Sequence, residues 1–178
     1  MKVSGCGKSK VLTDKEFMLI KEKVSYKYQV FFDIMWSTGA RVSEVCKLRC
    51  IDLVNGTLVL RKTNTKTKET REIPVSDELI SKIDKLPKEN GFMFAGKDGV
   101  GHITRYTIDK VLRGACEECG IKGVSTHSFR RTTITQLSRN NVSLRVIQNI
   151  SGHKNLNVLQ GYVDVDDKEV RFALQTRW

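Results

Sequence analysis

No apolar run in this chain of 178 residues approaches the roughly 20 residues a membrane-spanning helix needs. The first ten residues, MKVSGCGKSK, lack the apolar core of a secretion signal, so the expected location is the cytoplasm. Cysteine is sparse and odd in number, at positions 6, 46, 50, 116 and 119, which argues against a disulfide framework. Cys116-Glu-Glu-Cys119 has zinc-like spacing, and Cys46 and Cys50 could in principle complete a four-sulfur site. Both pairs fall in helical patterns, where cysteine serves as a small core residue, so no metal is expected. The glycine-rich stretch from Ala95 to Gly101 is not followed by the Lys-Ser/Thr of a phosphate-cradling loop. Carboxylate clusters, internal repeats, low-complexity tracts and clear linkers are also missing. Acidic residues are too few to balance the basic ones, 20 against 31, leaving a formal charge of +11 that suits an anionic partner. Nucleic acid is the commonest such partner for a basic protein of this size, although a basic surface can also be functionally silent.

What is present reads as one domain, mainly α with a small antiparallel β-sheet. Leu12-Thr13-Asp14-Lys15-Glu16-Phe17 has a capping threonine, a capping-box glutamate and a hydrophobic staple, so a helix should run to about Val24. A second, from about Lys27 to Ser37, is apolar enough to be central in the core. Gly39 breaks it, and a further helix should pack Val42, Val45 and Leu48 or Leu53. Thr57–Arg61 and Thr70–Val75 read as a hairpin, with Pro74 favouring an edge position. The polar connection between them carries Lys62, Lys66 and Lys68. Further helices are expected over Ser76–Leu86, with Leu79, Ile80, Ile83 and Leu86 inward, and over Thr104–Cys119, stopped by Gly120. The last quarter should hold short helices over Ser128–Arg139, Leu144–Ser151 and Asn155–Tyr162, then a tail helix over Asp166–Gln175.

That last quarter also concentrates the chemistry. His127 and Arg130 are three apart and share a helical face; His153 follows a Ser-Gly step, and Tyr162 lies nine residues on. An imidazole and a guanidinium converging on one anion, followed by a lone tyrosine, is a layout suited to nucleophilic attack on phosphate. Arg41 sits at a helix start where an anion would meet a guanidinium and backbone amides. It could equally form a surface i,i+3 bridge with Glu44, and on that segment alone the two readings stand level. Taken singly, each of these residues has an ordinary structural explanation.

Taken together, Thr38-Gly-Ala-Arg41-Val-Ser-Glu44, His127-Ser-Phe-Arg130, Ser151-Gly-His153 and Tyr162 resemble the signature boxes of the tyrosine recombinases, the phage-integrase family. They stand in that family's order, with a basic hairpin between the first and second box, and the match runs from about Leu12 to Val163. The resemblance implies the family's catalytic-domain fold and a site-specific recombinase or integrase working through a 3′-phosphotyrosine. It implies Tyr162 as nucleophile, Arg41 and Arg130 clamping the phosphate, and Lys66 (or Lys68) as general acid. His127 would assist proton transfer, His153 would donate to the phosphate, and Glu44 would orient Arg41 or a histidine. Lys62, Lys68, Arg71, Arg131 and Lys154 would meet double-stranded DNA. No cofactor or metal is implied. A DNA-bound homo-tetramer, monomeric in solution, is the expected assembly. The runner-up readings are a type IB topoisomerase-like nicking-closing enzyme and a catalytically inactive basic DNA-binding module. Only about a dozen residues precede the first helix, so a catalytic domain without the family's N-terminal clamp is expected. Val158-Leu159-Gln160-Gly161 departs from the threonine-rich pattern usual before the tyrosine, and the tail after Tyr162 would dock on a neighbouring protomer.

Overall fold

In the computed structural model, residues 9–64, 69–88, 90–97, 99–161 and Gln175 are described. Helix α1 (Asp14–Glu22) begins where its cap dictates. Thr13 Oγ1 accepts from the Glu16 amide at 3.2 Å, while the Glu16 carboxylate accepts from the Thr13 amide at 3.1 Å. Leu12 and Phe17 on either side of the cap are both buried.

Helix α2 (Tyr26–Thr38) is the central element, packed against α1 and against the helices over Val42–Cys46, Asp77–Asp84 and Thr126–Arg139. Its Val30, Phe31, Phe32, Ile34 and Met35 are fully buried, which is why its sequence shows so little polar surface. Phe17 of α1 stacks on Trp36 with centroids 4.1 Å apart, and Phe32 stacks on Phe129 at 5.2 Å. Such pairs add about 0.5–1.5 kcal/mol each beyond the area they bury. Gly39 closes α2 in the left-handed conformation, φ +62°, and frees the chain to start α3 (Val42–Cys46).

A single 3₁₀ turn (Cys50–Asp52) leads into a three-stranded antiparallel sheet, β1 (Leu53–Val54), β2 (Thr57–Leu60) and β3 (Arg71–Pro74), in that spatial order. The hairpin is where the alternation puts it, with Leu58 opposite Ile73 and Pro74 on an edge strand. Strand β1 is an addition to the sequence reading. It is two residues long, too short for alternation to register, yet Asn55 and Gly56, at φ 47° and 76°, form the Asn-Gly turn that joins it to β2.

Helices α4 (Asp77–Asp84), α5 (Arg105–Glu118), α6 (Thr126–Arg139), α7 (Leu144–Ser151) and α8 (Leu156–Gln160) complete the described residues. Ser76, Thr104, Ser143 and Asn155 cap α4, α5, α7 and α8 by accepting backbone N–H bonds. Ile80 is only half-buried, unlike Leu79, Ile83 and Leu86. Helix α6 starts two residues earlier than the pattern suggests, so His127 lies in its first turn. A main core runs under α1–α6 and the sheet, and a satellite core of Ile134, Ile147 and Leu159 holds α6, α7 and α8 together. Cys46 and Cys116 are core residues, and burial pushes their thiols up to about 12 and about 11. Apart from Gln175, the expected tail helix lies outside the described residues.

Candidate active site

The site is assembled where the α2–α3 break, the N-terminal half of α6 and the end of α7 meet. Arg130 is 4% exposed, so a charge has been taken out of water and its donors must be satisfied. Its Nη1 donates to the Gly39 carbonyl at 2.9 Å and its Nη2 to the Ser151 carbonyl at 2.6 Å. These two bonds pin one guanidinium between the Thr-Gly-Ala-Arg break and the residue that precedes Gly152-His153. Nη2 also lies 3.2 Å from Nδ1 and 3.3 Å from Nε2 of His153, and Ser151 Oγ lies 2.8 Å from that Nδ1.

Arg41 is the residue that precedes α3, and its partner is Glu44. The Glu44 carboxylate accepts from the Arg41 amide at 2.8 Å and from Arg41 Nη1 at 2.9 Å. The i,i+3 bridge weighed from the sequence therefore exists, but it is no surface pair: the Glu44 side chain is fully buried. The helix start considered as an anion site is already met by the protein's own carboxylate. Glu44 in turn accepts from Arg71 Nη2 at 2.7 Å, so one buried carboxylate orients two arginines.

Arg71 is the main correction to the sequence reading. It was expected on the DNA-facing hairpin; instead its side chain is 6% exposed and points inward from β3. Nη1 donates to the Ile150 carbonyl at 2.6 Å, Nη2 goes to Glu44, and the buried Nε has no hydrogen-bond partner. The signal for this was legible. Arg71 shares the strand face of Ile73, two residues on, and that face turns to the core. Gly152, at φ +66°, makes room for it, because a Cβ there would stand 2.8 Å from Arg71 Cδ and Nε.

Both histidines are held below their ordinary value. For His153 burial is the largest cause, followed by the Arg130, Arg41 and Arg71 guanidiniums, and together they take it to about 4. His127 is exposed, so its partial desolvation, the largest cause, acts on a ring still open to solvent; Arg105, Arg130 and Arg41 follow, with Asp109 opposing. The two arginines of the signature boxes thus act on both imidazoles, which is the electrostatic sign of one converging cluster. At neutral pH both rings are uncharged and able to take or relay a proton, while the arginines supply the positive field. Arg105 and Asp109 are paired on α5, Nε to carboxylate at 3.2 Å. Their i,i+4 spacing is visible in the sequence; their place beside His127 is not.

The remaining sequence-derived residues are placed as follows. Lys62 and Lys154 are exposed. Arg131, expected to face DNA, is half-buried and donates from Nη1 to the Ser9 carbonyl at 2.6 Å, tying the segment before α1 to α6. Lys66, Lys68 and Tyr162 lie outside the described residues. A cleft of about 610 Å³ opens between β3 and the end of α7, with Arg71, Gly152, His153 and Lys154 on its wall. Among the described residues no group of three His, Cys, Asp or Glu side chains could hold a metal ion, and no helix is long and apolar enough to cross a membrane.

Comparison with known proteins agrees with this geometry. The family model described as "Phage integrase family" matches residues 10–169. A tyrosine recombinase of Thermosipho africanus is 29% identical over 150 residues, covering 83% of this chain and 53% of its own length. The tyrosine recombinase XerC of Halalkalibacterium halodurans is 30% identical over 165 residues, again 83% of this chain and 53% of the relative. A probable integrase/recombinase of Bacillus subtilis, YoeC, is 27% identical and matches 92% of this chain and 90% of its own. The chain thus spans about half the length of the first two relatives and most of the third. Among solved structures, the Tn1549 transposon integrase in complex with a circular intermediate DNA superposes with a TM-score of 0.82 at 19% identity, over 95% of this chain and 66% of that one. The XerA recombinase does so at 0.76 and 22% identity, over 95% and 64%. At those identities the likeness establishes the fold: a tyrosine recombinase catalytic domain, mostly helical with a small antiparallel sheet.

Proposed function

Since the chain belongs to the phage integrase family of tyrosine recombinases, we propose that it is a site-specific DNA recombinase that cuts and rejoins double-stranded DNA through a 3′-phosphotyrosine. The observation that carries this reading is the convergence of Arg41 and Arg130 on the two neutral histidines, each arginine oriented by buried protein acceptors. Planar guanidiniums fixed before the reaction offset the charge that builds on a pentacoordinate phosphorus, without reorganisation at the moment of attack.

In this mechanism the Tyr162 oxygen attacks the scissile phosphorus and its proton leaves toward His127. The bond from phosphorus to the 5′-oxygen breaks, and Lys66 or Lys68 of the hairpin protonates that oxygen. His153 donates a hydrogen bond to a non-bridging oxygen. Arg41 and Arg130 hold the phosphate throughout, and Glu44 keeps Arg41 in place. Rejoining reverses these steps with a new 5′-hydroxyl, and the phosphotyrosine conserves the bond energy meanwhile. Lys62 and Lys154 lie on the exposed surface, where they can meet DNA phosphates. The active assembly on DNA is a homo-tetramer formed from monomers, and the protein works in the compartment that holds its DNA.

The test is covalent trapping on nicked suicide duplexes, followed by denaturing electrophoresis. The expected result is a protein–DNA band for the wild type that Tyr162→Phe abolishes, with duplex binding kept within about twofold because the nucleophile supplies little ground-state affinity. A band that survives Tyr162→Phe would overturn the assignment of the nucleophile.

A further inference from the structure

A second basic cleft lies at the root of the hairpin, outside the cluster described above. It measures about 350 Å³ and is lined by Lys47, Arg49, Arg61, Asn64, Phe92 and His102, with Ile51 and Thr63 at its edge. Among the described residues no carboxylate lines it. Its two arginines are fixed in advance. The Arg49 guanidinium lies 5.0 Å from the centroid of the Phe92 ring, which His102 meets edge-on at 5.5 Å. Arg61 is bonded through Nε to Asp52, a carboxylate that is fully buried and also accepts from the Arg49 amide at 2.8 Å. This repeats the device of the catalytic cluster, where buried Glu44 orients Arg41. An arginine held through Nε keeps the two-nitrogen end of its fork directed elsewhere, the geometry that meets phosphate oxygens. The floor of the cleft is stitched to the hairpin, because Asn64 Nδ2 donates to the Lys47 carbonyl at 3.4 Å.

Its position sets the ligand. Lys47 ends α3, the helix that Arg41 begins. Six residues of helix place the two about 9 Å apart along its axis, a span of the same order as the separation of neighbouring phosphates on one DNA strand. We infer that the cleft formed by Lys47, Arg49 and Arg61 over Phe92 holds a backbone phosphate of the DNA, neighbouring the one that is cut. The inference rests on the recombinase reading, and it gives the cleft a separate job. It fixes the register of the strand so that the scissile phosphorus arrives at Arg41 and Arg130. A contact of this kind reads no base and adds affinity that salt weakens.

The experiment is binding of the full chain to a mixed-sequence duplex oligonucleotide between low and moderate salt, with log K plotted against log salt. Each phosphate contact contributes a slope of about 0.9. Lys47→Gln/Arg49→Gln should lower that slope by about 1–2 and weaken binding at least tenfold at low salt. A control pair at α1 and the residue that caps its C-terminus, Lys15→Gln/Lys23→Gln, removes the same charge from exposed positions and should change the slope by less than about 0.5. At saturating DNA, covalent trapping by the cleft variant should fall, because a strand out of register brings the scissile phosphorus to Arg41 and Arg130 less often, whereas the control pair should trap as the wild type does. An unchanged slope, or an equal drop in the control pair, overturns the inference and leaves the recombinase reading standing. A wild type that binds no duplex overturns both.

Discussion

At the residue scale, Glu44 is the most constrained side chain of the site. Fully buried, it pairs with both Arg41 and Arg71, so removing its charge leaves two guanidiniums without their shared counter-charge. Glu44→Gln preserves shape and one acceptor but not the charge. It should destabilise the fold by about 3–5 kcal/mol in urea denaturation and lower covalent trapping sharply. A cost below about 1 kcal/mol would mean that the carboxylate is far better solvated than its burial says. The sequence brought Glu44 and Arg41 to notice as neighbours on one helix turn. It could not bring in Arg71, because that partner is 27 residues away and joins them only when β3 packs beside α3.

At the element scale, the end of α7 does two things with one glycine. Gly152 takes a left-handed φ of +66°, closing the helix, and its missing side chain leaves room for the Arg71 side chain where a Cβ would clash. Gly120, at φ +67° after α5, has the same backbone with open space around it. Comparing the two alanine variants separates backbone strain from steric displacement. Gly120→Ala should cost about 1–2 kcal/mol and leave covalent trapping intact. Gly152→Ala should cost at least about 1 kcal/mol more in thermal or urea unfolding, and should impair trapping by moving Arg71 and His153. Equal stabilities and equal trapping would show that Arg71 yields freely. The same scale explains what was legible in the fold. Caps, apolar periodicity and strand alternation act within a few residues of chain, so α1, α2, α7 and the hairpin can be read locally. Strand β1 was lost because two residues carry no period, and the start of α6 because Thr126 and His127 are not apolar.

At the scale of the whole molecule, the fold places His127 and His153 in the field of several guanidiniums, and that shapes its response to acid. The unfolded chain protonates its histidines near their ordinary value, whereas His153 in the folded protein does so only at about 4 and His127 below its usual range. Between about pH 6.5 and 4 the unfolded state therefore binds more protons, and this contribution to stability is lost as pH falls through that window; above it, the contribution is complete. The urea midpoint should drop between about pH 7 and pH 5, and His153→Gln should flatten that drop relative to the wild type. Parallel wild-type and His153→Gln curves would mean that the imidazole charges in the folded state without cost.

What the sequence determined alone is everything that acts over short chain distances: the helices and their caps, the hairpin, the charge of +11, and the order and spacing of the boxes around Arg41, Arg130, His153 and Tyr162. Of those spacings, helix pitch turns the one between His127 and Arg130 directly into a shared face. Only the tertiary structure decided which charge faces which. Arg130 reaching Gly39, Arg71 turning inward to Glu44, and Arg61 held by Asp52 each depend on burial. A charge removed from water must take whatever partner the packed neighbours offer, and no local pattern names that partner.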